Sequence, residues 1–336
     1  MSQEEPNPQL VWDTINAYQR TSALRAAIEL DLFTAIGPED VTAEQLAKKC
    51  AASARGIRIL CDYLTVLGFL RKQAGAYCLT PTSSAFLDRR SPACMGSMVQ
   101  FMNSPKLLSG FANMTDTVRR GGTSLSHGGV NESVLNEWVL FAQSMMPLMK
   151  PASEFLAEEA SRGNKPLQRV LDIAAGHGLF GIAVAQRASR AEIVAQDWPN
   201  VLKVAEANAK SAGITHRYRL LAGDAFAIPF EGEYDLVLLT NFLHHFDEQS
   251  CVALLRKISA CLNRGGRLLT LEFIPNEDRI TPPIPATFSM MMLGLTPAGD
   301  AYTITQYERM LSEAGFTQNV MKQVPQSPQQ LLVSTK

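Results

Sequence analysis

The hydrophobic rhythm of the chain changes near its middle. From Val11 to about Ala160, apolar residues recur every three or four positions, the spacing of amphipathic helices. AYQRTSALRAAIELDLFTAI sets Ala23, Leu24, Ala27, Ile28 and Leu32 on one such stripe and predicts a helix. VTAEQLAKKC follows, with Thr42 and Gln45 spaced as a capping box. SARGIRILCDYLTVLGFL predicts a third helix ending near Gly68, and FLRKQAGAYCLTPT two short strands around Ala74 and Gly75. Three helices and a hairpin are the pattern of a winged helix. MGSMVQFMNSPKLLSGFANM and ESVLNEWVLFAQSMMPLMKPASEFLAEEA add further helices, and Gly163, Asn164 and Pro166 mark a break.

From Leu167 strands and helices alternate: QRVLDIAA, GLFGIAVAQRA, AEIVAQD, NVLKVAEANAKSAG, YRLLAGDA, YDLVLLTN, QSCVALLRKISACLN, RLLTLEF. The alternation predicts a mostly parallel sheet covered on both faces, its strands continuous apolar runs. After a last helix, TITQYERMLSEAGF, the stretches TQNVMKQV and QQLLVSTK predict an antiparallel hairpin. The expected organisation is residues 1–95 as a winged-helix module, 96–165 as connecting helices and 166–336 as the α/β domain.

Composition narrows the partners. With 46% hydrophobic and 19% charged residues, the chain of 336 can bury a large interior. Its net charge of −1 offers no cationic field for nucleic acid or anionic lipid. A winged helix often reads DNA through its third helix, and Arg55 and Arg58 stand at the start of this one. The remainder, with Ile57, Ile59, Leu60, Tyr63, Leu64, Val66 and Leu67, is too apolar for a groove and suits burial against a partner chain. MSQEEPNPQL is acidic where a secretory signal is basic and then apolar, and no stretch nears the roughly 20 apolar residues of a membrane span. The six cysteines include no CxxC pair, so neither a disulfide frame nor a metal site is expected. A cytoplasmic protein is the expectation.

The chemistry starts at VLDIAAGHGLFG. Gly176, Gly178 and Gly181 match GxGxxG between a strand and a helix, where residues without Cβ let a ligand approach the backbone. Asp197, about 20 residues on at the end of the next strand, is placed to accept hydrogen bonds from ribose hydroxyls. Asp172, before the turn, can hold it or meet a cationic ligand group. Gly223, Asp224, Ala225 and Phe226 form GDAF after the third strand, with Asp224 placed for an adenine amino group and Phe226 for the ring. Trp198 offers adenine an apolar face.

Together these features resemble the class I S-adenosylmethionine-dependent methyltransferases more than the dehydrogenases, whose glycine motif tends to come first in the chain. NFLHHFDE after strand four, LLTLEF at strand five and the helical N-terminal module further resemble the two-domain small-molecule O-methyltransferases, over nearly the whole chain. The resemblance implies a seven-stranded Rossmann-like sheet, S-adenosylmethionine as cofactor with S-adenosylhomocysteine as product, and a homodimer whose N-terminal domains exchange helices. It also implies that His177 faces the cofactor or steadies the turn, and that Asn241 approaches the cofactor's methionine end.

A phenol, with a pKa near 10, needs a base to act as a nucleophile at neutral pH. His244 aligns with the family's catalytic histidine at the ligand-binding edge of the sheet; of His244 and His245, at most one is expected to face the acceptor. Glu272 matches the family's glutamate and is placed to fix the imidazole tautomer. Where plant members carry a second glutamate in a GGKERT-like segment, this chain has PAGDAYT, with Ala301 at the matching position; Asp300 beside it is the candidate substitute. Met145, Met146 and Met149, with Phe288, Met290, Met291 and Met292, suit a flat apolar acceptor or plain core; Met146 and Met291 are the candidate acceptor contacts. The expected reaction is O-methylation of a small aromatic or polyene metabolite. Carbon or nitrogen methylation, a dinucleotide oxidoreductase and a DNA-binding sensor are the rival readings.

Overall fold

A computed structural model of the chain describes residues 6–131, 136–162 and 166–336. Gly163 and Asn164 of the predicted break, and residues 132–135 of the ESVL stretch, lie outside the described residues. The chain divides into two compact units, Met1–Asn103 and Ser104–Lys336.

In the first unit, α1 (Pro8–Ile15) starts at Asn7, whose side chain accepts from the Gln9 N–H, and none of its residues is buried. The stripe that predicted one helix forms two, α2 (Ala17–Glu29) and α3 (Leu32–Ile36). The cause is local: Asp31 takes a left-handed backbone (φ 53°), which an α-helix cannot continue through. β1 (Val41–Thr42) leads into α4 (Ala43–Lys49), where the Thr42–Gln45 capping box forms. α5 (Ala54–Val66) follows, capped by Ser53, and buries Ile57, Cys61 and Leu64, while Ile59 and Val66 are exposed. β2 (Leu70–Gln73) and β3 (Ala76–Leu79) pair antiparallel across Ala74 and Gly75, both at positive φ as a two-residue hairpin turn requires. β1 joins the far side of β3. With α6 (Pro81–Phe86) and α7 (Gly96–Met102) the unit surrounds a core including Phe33, Leu46, Leu64 and Tyr77.

The second unit opens with helices α8 (Pro105–Ala112), α9 (Met114–Arg120), α10 (Asn136–Ser144) and α11 (Met146–Ser161). The predicted alternation follows: β4 (Arg169–Ile173), α12 (Leu179–Arg187), β5 (Glu192–Asp197), α13 (Pro199–Ser211), β6 (Tyr218–Ala222), β7 (Tyr234–Thr240), α14 (Glu248–Cys261) and β8 (Leu262–Glu272). After α15 (Pro283–Leu295) and α16 (Ile304–Glu313) come β9 (Gln318–Gln323) and β10 (Gln330–Thr335). The sheet order is β6-β5-β4-β7-β8-β10-β9, parallel through β8, with β10 antiparallel to both its neighbours. This is the Rossmann-like seven-stranded sheet with its antiparallel hairpin.

β4, β5 and β7 are nearly wholly buried, as central parallel strands are, whereas β6, at the edge, leaves Leu220 exposed. The chain winds to one side of β4 and later returns on the other at β7. Ligands bind at such a switch, beyond the carboxyl ends of the strands. Among the described residues, no helix is long and apolar enough to cross a membrane.

Candidate active site

Beyond β4 the backbone coils through Ala174 (φ 53°), Gly176 (φ 57°) and Gly178 (φ 73°). At Gly178 the close approach is concrete, since a Cβ would lie 2.5 Å from the Tyr218 hydroxyl. Asp197, at the end of β5, accepts from the N–H groups of Gly176 (2.8 Å) and Trp198 (2.7 Å). Each oxygen of that carboxylate can still accept another donor. Burial pushes Asp197 up to about 6 despite these two bonds. Asp172 is fully buried; its Oδ2 accepts from Gly181 N–H (3.0 Å) and its Oδ1 has no partner. Burial, and then the neighbouring Asp197, push it up to about 7. Of the two roles weighed for Asp172, holding the turn is the one with a bond.

His177 points inward. Its Nδ1 accepts from Leu179 N–H (3.1 Å), and burial holds its pKa down to about 4, so the ring is neutral. Asn208 donates to the His177 carbonyl (2.9 Å) and touches the Met146 sulfur (3.4 Å), which places Met146 beside the turn. Trp198, partly buried, is the N-cap of α13.

Two residues that sequence reasoning missed brace GDAF, one against this turn and one against α14. Gln196, buried in β5, accepts from Ala174 N–H (3.2 Å) and donates to the Gly223 carbonyl (2.6 Å). Lys257, from α14, donates to the carbonyls of Ala225 (2.8 Å), Phe226 (3.1 Å) and Ile228, with its ammonium 4.4 Å from the Phe230 ring centre. The only hint in the sequence was a lysine three residues after Leu254, beside the helix's apolar stripe. Asp224 accepts from Phe226 N–H (2.9 Å), and Phe226 meets Phe242 and Phe246 in an aromatic cluster. A left-handed glycine turn, an acidic residue at the next strand end and a braced GDAF loop with an aromatic beside it fit a nucleoside-bearing cofactor.

At the end of β7, Asn241 (φ 55°) bonds to Leu271 on β8, and its side chain contacts the Met149 sulfur and Gln329. A short 3-10 turn over Leu243–His245 then presents the two histidines. Glu272, fully buried at the end of β8, accepts from the N–H groups of Phe242 and Leu243 (2.9 Å each) through Oε1. Its Oε2 lies 2.5 Å from His244 Nδ1. A carboxylate gathering donors in this way assigns the imidazole proton to Nδ1 and leaves the Nε2 lone pair free. Phe288 meets the His244 ring edge-on at 4.8 Å and stacks on Phe273 at 4.2 Å. Gly299 packs against the histidine pair so closely that a Cβ there would run into the His244 carbonyl.

Asp300 goes elsewhere: its Oδ2 pairs with Arg279 at 2.9 Å, and Glu272 is the carboxylate on the imidazole. Among the methionines, Met145, Met149 and Met292 are buried, Met146 and Met291 are partly buried and Met290 is exposed.

Comparison with known proteins places the chain in a family. The model of the O-methyltransferase domain matches residues 131–317, and that of the O-methyltransferase dimerisation domain matches residues 12–89. A candidate O-methyltransferase from Nostoc punctiforme PCC 73102 is 46% identical, with a TM-score of 0.96 over 99% of this chain and 100% of that one. The 3-hydroxy-5-methyl-1-naphthoate 3-O-methyltransferase of Streptomyces sahachiroi is 28% identical over 93% of this chain and 90% of its own length. Human N-acetylserotonin methyltransferase, solved with S-adenosylmethionine, shares the fold at 24% identity, with a TM-score of 0.85 over 100% of this chain and 99% of that one. The chain belongs to the O-methyltransferase family and is an S-adenosylmethionine-dependent O-methyltransferase of small metabolites, carrying the family's dimerisation domain.

Proposed function

We propose that the enzyme methylates a hydroxyl on an aromatic or polyene metabolite, with His244 as general base and Glu272 as its positioning residue. The observation that carries this reading is the Glu272 Oε2 to His244 Nδ1 contact of 2.5 Å, which leaves the Nε2 lone pair free. Phe288 packs on His244 and Trp138 on His245, with Phe273 against the first and Phe141 against the second, a supply of flat apolar surface. Relatives whose names give a hydroxynaphthoate and N-acetylserotonin as acceptors support an aromatic ligand.

Bound S-adenosylmethionine supplies an electrophilic methyl group on a sulfonium. Gly176, Gly178, Asp197, Asp224, Ala225 and Phe226 are the proposed holding residues, with Asp172, His177 and Gly223 shaping their turns. Trp198 and Asn241 stand at the strand ends beside them, and Met146 and Met291 are the proposed acceptor contacts. His244 Nε2 takes the acceptor hydroxyl's proton as the oxygen becomes nucleophilic, and Glu272 stabilises the imidazolium that forms. We assign Asp300 no part in that proton transfer, because Arg279 holds it. The working unit is a homodimer formed through the dimerisation domain.

The test is methyl transfer to a panel of phenolic acceptors by wild type, His244→Ala and Glu272→Gln, with S-adenosylhomocysteine affinity measured by calorimetry. The expected outcome is a loss of roughly 10²–10⁴-fold in kcat for His244→Ala, with cofactor affinity within a few-fold of wild type. Undiminished transfer in His244→Ala overturns the base assignment and favours carbon or nitrogen methylation.

A further inference from the structure

His245 stands beside the proposed base without a role in the mechanism. Its ring centre lies 4.3 Å from that of His244, and Trp138 packs against it in a T-shaped pair at 5.2 Å. Its backbone is pinned, since Asn131 donates to the His245 carbonyl at 2.9 Å and Gly299 presses on the peptide between the two histidines. The two ring nitrogens differ. Nδ1 is sealed from solvent and has no hydrogen-bond partner, whereas Nε2 is not both sealed and unpartnered.

That difference assigns the tautomer. An N–H sealed without an acceptor is among the rarest orphans in folded proteins, and a bare lone pair is tolerated better. The proton of neutral His245 therefore sits on Nε2, where water or a ligand can meet it. Burial, together with the neighbouring His244, holds the pKa of His245 well below the usual histidine range and keeps the ring from gaining a second proton. The adjacent imidazoles are thus opposite tautomers: His244, proton on Nδ1 toward Glu272, offers a lone pair, and His245 offers an N–H.

With the rings 4.3 Å apart, both histidines, rather than the one expected from the sequence, can meet the acceptor, and a lone pair beside a donor is complementary to a ligand that carries a hydroxyl next to a hydrogen-bond acceptor. We propose that His245 is a specificity-determining residue whose Nε2–H selects acceptors bearing a second oxygen, as hydroxyl, carbonyl or carboxylate, on the carbon adjacent to the hydroxyl that is methylated. The proposal rests on the reading of His244 as the base. A site built to hydrogen-bond a substrate group discriminates strongly against the analogue lacking it, because its own polar atom is then left unpaired.

The experiment compares 2,3-dihydroxynaphthalene with 2-naphthol, both as methyl acceptors and as ligands of the S-adenosylhomocysteine-loaded enzyme by calorimetry. The variants are His245→Phe, which keeps a flat ring without the donor, and His245→Gln, which restores an N–H; cofactor affinity reports that each has folded. Wild type is expected to favour the diol by about tenfold or more, after allowance for its two equivalent hydroxyls. That ratio should fall to within about threefold in His245→Phe and recover in part in His245→Gln. Equal treatment of the two probes by wild type, a preference that survives in His245→Phe, or binding of neither probe overturns the proposal. Failure of the underlying reading looks different: His244→Ala would transfer methyl at the wild-type rate while the diol preference still followed position 245.

Discussion

Asp172 and His177, five residues apart, pull stability in opposite directions with pH. Asp172 is raised from 3.8 to about 7, so the folded state holds its proton more tightly than the unfolded chain does. Its stabilising effect is fully present below pH 4 and fades as pH rises toward 7. His177 is lowered from 6.5 to about 4, so its buried neutral ring stabilises the fold above pH 6.5 and that contribution is lost as pH falls toward 4. Over the shared window the two slopes largely cancel in wild type. Asp172→Asn removes one of them, and urea titrations of the ligand-free protein between pH 4.5 and 6.5 should then show stability falling more steeply on acidification, by up to about 1.4 kcal/mol per pH unit. An unchanged slope would mean that Asp172 is already ionised in that range. Gly299 carries a second prediction at this scale. Gly299→Ala forces the segment away from the His244 carbonyl, and kcat should drop at least about tenfold while cofactor affinity holds, since a small misplacement of a catalytic group is enough for such a loss.

Among the elements, the β6–β7 connection shows how a loop is made rigid without secondary structure. Lys257 reaches across from α14 and satisfies three of its carbonyls, and Gln196 binds it back to the glycine turn. Lys257→Met keeps an unbranched apolar side chain and leaves those carbonyls without their donor. The expected result is about tenfold weaker S-adenosylmethionine binding by calorimetry, about 1.4 kcal/mol. Full affinity in that variant would show that the loop is ordered by its own turns. The glycine turn, Asp197 and GDAF were legible because backbone conformation and strand-end placement demand particular residue types in order. His244 and Glu272 were legible through the family resemblance, since two residues on separate strands leave no local pattern. Gln196, Lys257, Asn208 and Gly299 act through tertiary contacts that neither spacing nor composition encodes. The break of the first stripe at Asp31 escaped notice for a related reason: a single left-handed residue leaves the apolar period intact on both sides. Likewise the hairpin was visible in the sequence, but not that β10 would slip between β8 and β9.

In the molecule taken whole, α1 is the feature that calls for a partner. Leu10, Val11, Trp12 and Ile15 are each more than 60% exposed, and Tyr18 just beyond is 67% exposed. So dense an apolar cluster on one short segment suits an association surface. On the proposed homodimer, replacing Leu10 and Trp12 with Ser should shift sedimentation equilibrium toward monomer; an unchanged distribution would mean that α1 is not the interface. The pairing of β10 with β8 has a further consequence, for the order in which the enzyme comes into being. Gln330 is the register partner of Glu272, and Gln329 bonds Asn241 at the other rim of the same site. On the ribosome, the glycine turn, Asp197 and Asp224 emerge well before the strand that pairs with the end of β8. A nascent chain therefore exposes the residues of its nucleoside cradle before Gln329 and Gln330, the partners of Asn241 and Glu272, have been made.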